Sequence, residues 1–359
     1  MAVTIRTRAA WRKATKPADD NGFFGPGSVV WKVWTYPTVY ILAFARAVTI
    51  EHFDPNLTAA VVQAGGVKAR PYTRYGRTLR YFEMVAFGAA EPAVKAADVL
   101  VKVHSKAIGR DPVTGGEYDA NRPDSQLWIH MTAWHSVLKV YEEFGPGRLS
   151  PAEENEYWAG CAEAAALTTA DTHAVPRSRE EVRAYFEAWR PRLAASEAAQ
   201  DMVNFVLAMQ VALPPDLAAW KKAAFLPMTS LLRKAVIATY PKYMRDMAGL
   251  RQSAAVDRAV RTPVKWFHKL LDRNLTLQMA LMSLLAPQVV EVVLPALLGI
   301  PAQSEKVWSV RDAQVAFGYQ VPSEAHLDMR ARQRERSTRQ AARSRRSDGF
   351  RSTRPARYR

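Results

Sequence analysis

A chain of 359 residues and 40.1 kDa, 48% hydrophobic with 10% aromatics, can bury a substantial core, which excludes a wholly disordered or fibrous protein. Its single cysteine, Cys161, excludes an intrachain disulfide and a cysteine-only metal site, and makes a reducing, cytosolic setting the simplest expectation. The formal charge of +16 raises nucleic acid as a partner, but +10 of it lies between Arg330 and Arg359, so most of the basicity is a tail.

Residues 1–21 read as a polar, basic N-terminal segment with no apolar stretch of the length a secretory signal requires. Gly22, Gly25, Pro26 and Gly27 then make a turn, without the lysine or the spacing of a phosphate loop, and Ser28 is placed to cap a helix from Val29. The chain is apolar and aromatic from there to Ile50, with Pro37 kinking or dividing it, which predicts an interior helix. Glu51, His52 and Asp54 follow together. Neighbouring positions on a helix point apart, so His52 reads as structural rather than as a metal ligand.

In the next segment Arg74, Arg77 and Thr78 stand at i, i+3 and i+4 and share one helical face. Two guanidiniums and a hydroxyl converging there suit an anion or an oxygen-derived species, because guanidinium stays protonated and presents fixed donors; a solvated basic face that includes Arg80 is the plainer alternative. The stretch Glu91 to Arg110 sets Val94, Ala97, Val101 and Ile108 at helical spacing with His104 on the same stripe. That histidine is either a hydrogen-bonded core residue or an axial ligand to haem or another metal, shielded by the apolar wall around it.

A loop rich in turn residues, Asp111 to Asp124, is anchored by Tyr118 and leads into a helix capped by Asp124 or Ser125. His130 lies beside the apolar face of that helix and is the second pocket candidate; a packed histidine bonded to a carbonyl is the alternative. Ser150 with Pro151, Glu153 and Glu154 signs a helix start running to about Ala170, and Ser178 with Glu180 and Glu181 signs another. His173 in the turn between them reads as structural. Further helices are expected over 197–212, 215–225, 228–238, 241–250, 264–271 and 275–298. Polar residues and prolines interrupt the last, so it reads as a buried hairpin or a surface-docked helix pair rather than a membrane span. No strand-like run and no repeat persists, and the fold class is all-α: one large helical domain over 22–327 followed by a basic C-terminal tail, 328–359. Arginine at that density without large apolar residues predicts disorder, or a frayed helix over its first turns, with anionic lipid or nucleic acid as partners it can attract.

Taken in order, Gly25-x-Gly27-Ser28 before an aromatic helix, Arg74-x-x-Arg77-Thr78, the pair Val103-His104 ahead of Ile108-Gly109, the loop Gly115-x-x-Tyr118-Asp119-Ala120, Trp128 to Thr132 (WIHMT) and Leu149-Ser150-Pro151-x-Glu153 resemble the MpaB-like oxygenase family, whose catalytic domain is shared with bacterial rubber oxygenase (latex clearing protein). The likeness spans roughly Gly22 to Trp189 and rests on the order of six short motifs. It implies an all-α fold with a globin-like core holding haem b, with His104 as the proximal iron ligand and Arg74 and Thr78 as the distal pair. Arg77 stands where the rubber-oxygenase branch has lysine, and arginine is a poor iron ligand. His130 would supply a second ligand or a propionate contact, and Glu51 is the nearest match to that branch's carboxylate.

The resulting expectation is a haem b (iron) oxidoreductase, cytoplasmic or membrane-associated. It would act on a small apolar, isoprenoid-like or lipid-like substrate with O2 or a peroxide-level oxidant steered by Arg74, Arg77 and Thr78. Two alternatives stand beside it: a non-haem iron oxygenase using His104, His130 and a carboxylate such as Glu51, and a non-enzymatic helical scaffold recruited by its tail to a membrane or nucleic acid.

Overall fold

The computed structural model describes residues 7–64 and 66–352. A short α1 (Arg8–Ala14), capped by Thr7, precedes an extended arm. The interior aromatic run is broken at Pro37. It forms α2 (Val29–Trp34), capped by Ser28 as its sequence indicates, then a π-helical turn over Val39–Ala43 and α3 (Phe44–Glu51). Next come α4 (Pro55–Ala64), α5 (Gly66–Ala69), α6 (Pro71–Phe87) and α7 (Ala90–His104), the last two folded back on each other at Gly88–Ala89. The loop after α7 is a small antiparallel hairpin, β1 (Ile108–Arg110) and β2 (Glu117–Asp119), with Gly109 opposite Tyr118. These strands were not expected; three residues each are too short for a period-two signal. Tyr118 is buried and its hydroxyl donates to Gln63 on α4, so it does anchor the loop.

At the centre lies α8 (Pro123–Phe144), which is apolar nearly all round and packs against α2, α3, α9 and α15. It starts at Pro123, without the side-chain cap expected of Asp124 or Ser125. Then follow α9 (Pro151–Ala165), with a complete Ser150–Glu153 capping box, α10 (Arg179–Trp189), capped by Ser178, α11 (Glu197–Leu207), α12 (Ala219–Ala224), α13 (Leu226–Ala238) and α14 (Lys242–Met247). The long α15 (Ala254–Arg273) carries Pro263 inside it and so begins ten residues before the sequence reading placed it. The apolar stretch near 275–298 is the expected hairpin, α16 (Leu275–Leu285) and α17 (Pro287–Leu298), divided at Ala286. Among the described residues no helix is long and apolar enough to cross a membrane.

Two segments far apart in the chain meet. Residues 18–22 pair in parallel with 303–308: Gln303 N–H donates to Ala18, Ser304 to Asp19, Asn21 to Lys306, and Trp308 to Gly22, at 2.8–3.0 Å. From this clasp the buried Asp20 reaches the hairpin turn, where its Oδ1 accepts from the N–H of Ala90 at 2.8 Å and its Oδ2 from the Trp308 indole at 3.1 Å. A carboxylate at a helix start satisfies an otherwise orphaned donor and complements the helix dipole. The helices α18 (Val310–Phe317) and α19 (Pro322–Ser352) pack on α7, and α17 packs on α6. The arginine-rich tail therefore begins as a docked helix, and residues 353–359 lie outside the described residues.

Candidate active site

The hairpin of α6 and α7 decides what faces His104. Arg74 is fourteen residues before the turn at Gly88 and His104 sixteen after it, so at about 1.5 Å per residue the two lie near the same level. They are close enough for the guanidinium to act on the ring: burial first, then the positive charge of Arg74, lowers the His104 pKa to about 4, with Asp119 opposing. The imidazole is therefore neutral at pH 7. Its Nδ1 lies 3.2 Å from the Gln126 side-chain nitrogen, and its Nε2 has no hydrogen-bond partner among the described residues. Val62 on α4 and Val99 and Val103 on α7 are each more than half exposed.

Arg74, Arg77 and Thr78 do share one face of α6, and that face is exposed. The inward face carries Tyr75, Leu79 and Glu83 instead. Gly76 is closed against α17, where a Cβ would fall 0.9 Å from Gln288 Nε2.

His52, read from sequence as structural, lies within reach of the same Arg74 charge. It is 3% exposed, its Nδ1 faces the Val48 carbonyl oxygen at 2.5 Å, and its Nε2 is buried without a partner. Burial lowers its pKa to about 4 despite that bond, and Arg74 lowers it further. A ring whose Nδ1–H is tied to a carbonyl presents the lone pair of Nε2 outward, the arrangement a metal-binding histidine requires. Tertiary folding, not the face of α3, brings it near Arg74.

His130 is placed elsewhere. It is 3% exposed, with Nε2 2.7 Å from the Cys161 carbonyl oxygen in the packing of α8 on α9, and it makes no described contact with His104. The ring is used as a packed, hydrogen-bonded histidine. Glu51 lies between α3 and α8, where its Oε1 accepts from Thr132 at 3.0 Å and burial raises its pKa to about 7. His173 is exposed in a surface turn. Glu83 was not anticipated: it is fully buried, both oxygens lack a partner, and burial pushes its pKa well above the carboxylate range.

The raised pKa of Glu51 has a measurable consequence. The folded state holds this proton more tightly than the unfolded chain, so its contribution to stability is present below about pH 4.5 and is lost as pH rises through about 7. Glu51→Gln, which keeps an acceptor for Thr132, should gain roughly 2–3 kcal/mol on the wild type between pH 5 and pH 8. Urea unfolding midpoints at the two pH values measure it, and a pH-independent difference between the two proteins would refute the assignment.

The donor set suits a haem better than a protein-held metal centre. Among the described residues no group of three or more His, Cys, Asp or Glu side chains converges on one point, whereas a porphyrin brings its equatorial nitrogens and asks the protein for a single imidazole. His104, neutral and with its Nε2 unpartnered among the described residues, meets that demand, and Arg74 is near enough for its charge to act on the ring. Gln126 can serve either tautomer of His104, since its amide offers an N–H or, turned over, an oxygen.

On the C-terminal side the site is bordered by α19. Arg330 Nε lies 3.1 Å from Asp119, and the Gln333 amide donates to the carbonyl of Ser105, the residue after His104.

No curated protein and no solved structure matches the chain. The family model described as "ER-bound oxygenase mpaB/B'/Rubber oxygenase, catalytic domain" matches residues 31–272, a span that contains α3, the α6–α7 hairpin, α8 and the residues His52, Arg74, His104 and Gln126. The chain belongs to that oxygenase family.

Proposed function

We propose that this oxygenase-family chain is a haem b-dependent oxidoreductase acting on an apolar, isoprenoid-like or lipid-like substrate, with O2 or a peroxide-level oxidant. The observation that carries the reading is the neutral His104 imidazole, one ring nitrogen without a hydrogen-bond partner among the described residues, within reach of the Arg74 charge. Bound there, haem would supply the oxidising chemistry, for which protein side chains have no substitute.

The chain's own residues do the remaining work. Burial keeps His104 unprotonated, so Nε2 is available as a donor across the neutral pH range. Gln126, bonded at 2.5 Å to the Ala120 carbonyl, fixes the rotation of the His104 ring. Arg74 holds a permanent positive charge where a negatively polarised oxygen species would need one. The tail partner, anionic membrane or nucleic acid, belongs to the same proposal only as an accessory contact of the arginines beyond α19's docked turns.

The test is the absorption spectrum of the protein reconstituted with haem. A Soret band that shifts on adding imidazole or cyanide is the expected result; a protein that takes up no haem, or one that binds iron without porphyrin, would overturn the reading.

A further inference from the structure

Arg46 is the most deeply buried guanidinium of the described chain that lacks a carboxylate partner. It is 2% exposed and forms no ion pair among the described residues. Its donors go to neutral groups: Nε to Thr239 at 3.1 Å and Nη1 to Ser136 at 2.8 Å, with His135 Nδ1 at 3.3 Å from Nη1. Burial, with Arg46 nearby, lowers the His135 pKa well below its ordinary value, so that ring adds no charge. A buried cation without a counter-charge is costly, and such groups are retained where an anion completes them.

The guanidinium does not face solid packing. It lines a cavity of about 490 Å3 between α3, α8, α10 and the start of α14, a volume typical of a small-molecule site. Its wall is apolar at Ile50, Leu138, Phe186 and Met244, and Arg183 on the exposed side of α10 also lines it. A third arginine there, Arg179, is already paired with Glu142 and Glu154, which leaves Arg46 as the buried charge without a carboxylate. None of His52, Arg74 and His104 lines this cavity, so it is separate from the His104 site.

We propose that the cavity binds an amphipathic monocarboxylate, its carboxylate on Arg46 and its hydrocarbon chain against Ile50, Leu138, Phe186 and Met244. The inference does not depend on haem or on the oxygenase reading. The apolar wall excludes a free inorganic anion as the main occupant, and the buried guanidinium excludes a plain hydrocarbon.

The test uses the full chain and isothermal titration with dodecanoate, dodecanol and acetate. A charge-assisted pair in a buried site discriminates by at least about tenfold, so dodecanoate should bind at least about tenfold more tightly than dodecanol, and acetate should bind far more weakly than either. Arg183→Glu, a surface change, should weaken dodecanoate severalfold and leave dodecanol unaffected. Arg46→Met should erase the preference for the acid. Because that variant removes buried hydrogen bonds and can fail to fold, the wild-type comparison decides. Equal affinity for dodecanoate and dodecanol, acetate as tight as dodecanoate, or no binding of either long chain would each overturn the proposal.

Discussion

Replacing His104 by alanine is expected to abolish the Soret band of haem-reconstituted protein while leaving its helical circular dichroism unchanged. The structure gives reasons for both halves. His104 closes α7, is only half buried, and its one described hydrogen bond is to Gln126, so its loss costs about 1 kcal/mol of stability. Haem retention has no comparable cushion, because His104 offers one neutral, unpartnered nitrogen at this position. The informative control is His52→Ala. The His52 ring is fixed at Nδ1 and free at Nε2 beside the same arginine, so it is the other histidine whose protonation the charge of Arg74 disfavours. If the His52 variant alone loses the band, the axial role moves to His52; if neither does, haem is not held by either ring. Visible absorption and pyridine haemochrome content of the two variants, prepared in parallel, separate these results.

The second large effect is structural. Gly22 has φ +60°, and a Cβ built on it would lie 2.2 Å from the carbonyl oxygen of Gly88, a backbone atom that cannot rotate away. Gly22→Ala therefore has to strain its own backbone and push the terminal clasp off the α6–α7 turn. About 1–2 kcal/mol is expected for the left-handed conformation alone, and about 1–3 kcal/mol more for the overlap. Gly27 isolates the two components: its φ is +85° and nothing lies within 4 Å of a built Cβ, so Gly27→Ala should cost only the conformational part. Denaturant midpoints for the pair should differ by at least about 1 kcal/mol with Gly22 the weaker; equal midpoints would mean that the clasp yields freely.

How far the sequence carried depended on the range of the interaction. Ser28, Ser150 and Ser178 cap the helices they were expected to cap, because a side chain and a backbone N–H three residues on are neighbours in any fold. Boundaries set by tertiary contacts were less visible. Pro263 lies within α15 instead of starting a helix after it, and α11 stops at Leu207, five residues short of the expected end. The site divides in the same way. Arg74, Arg77 and Thr78 were grouped correctly because helical spacing alone sets their common face, whereas His52 was dismissed because its place beside Arg74 is a consequence of chain reversal.

Glu83 and Arg46 carried a signal that went unused. Each is a charged residue set in an apolar run on an inward face, Glu83 at i+4 from Leu79 and i+8 from Tyr75, Arg46 within the aromatic stretch before Ile50. That is the pattern that singled out His104. His130 shows its limit: the same pattern there marks a ring bonded to the Cys161 carbonyl.

The pairing of residues 18–22 with 303–308 bears on how much chain is needed to make a folded unit. The family-matched portion, 31–272, ends before α17, α18 and α19 and begins after Asp20. Excised at those limits, it would leave Gly76 facing water where Gln288 now sits, the first N–H of α7 without its acceptor, and the outer side of α7 bare. The smallest autonomous module of this chain is thus larger than its recognisable oxygenase segment: the flanks are girders of the hairpin that bears His104, not appendages to it.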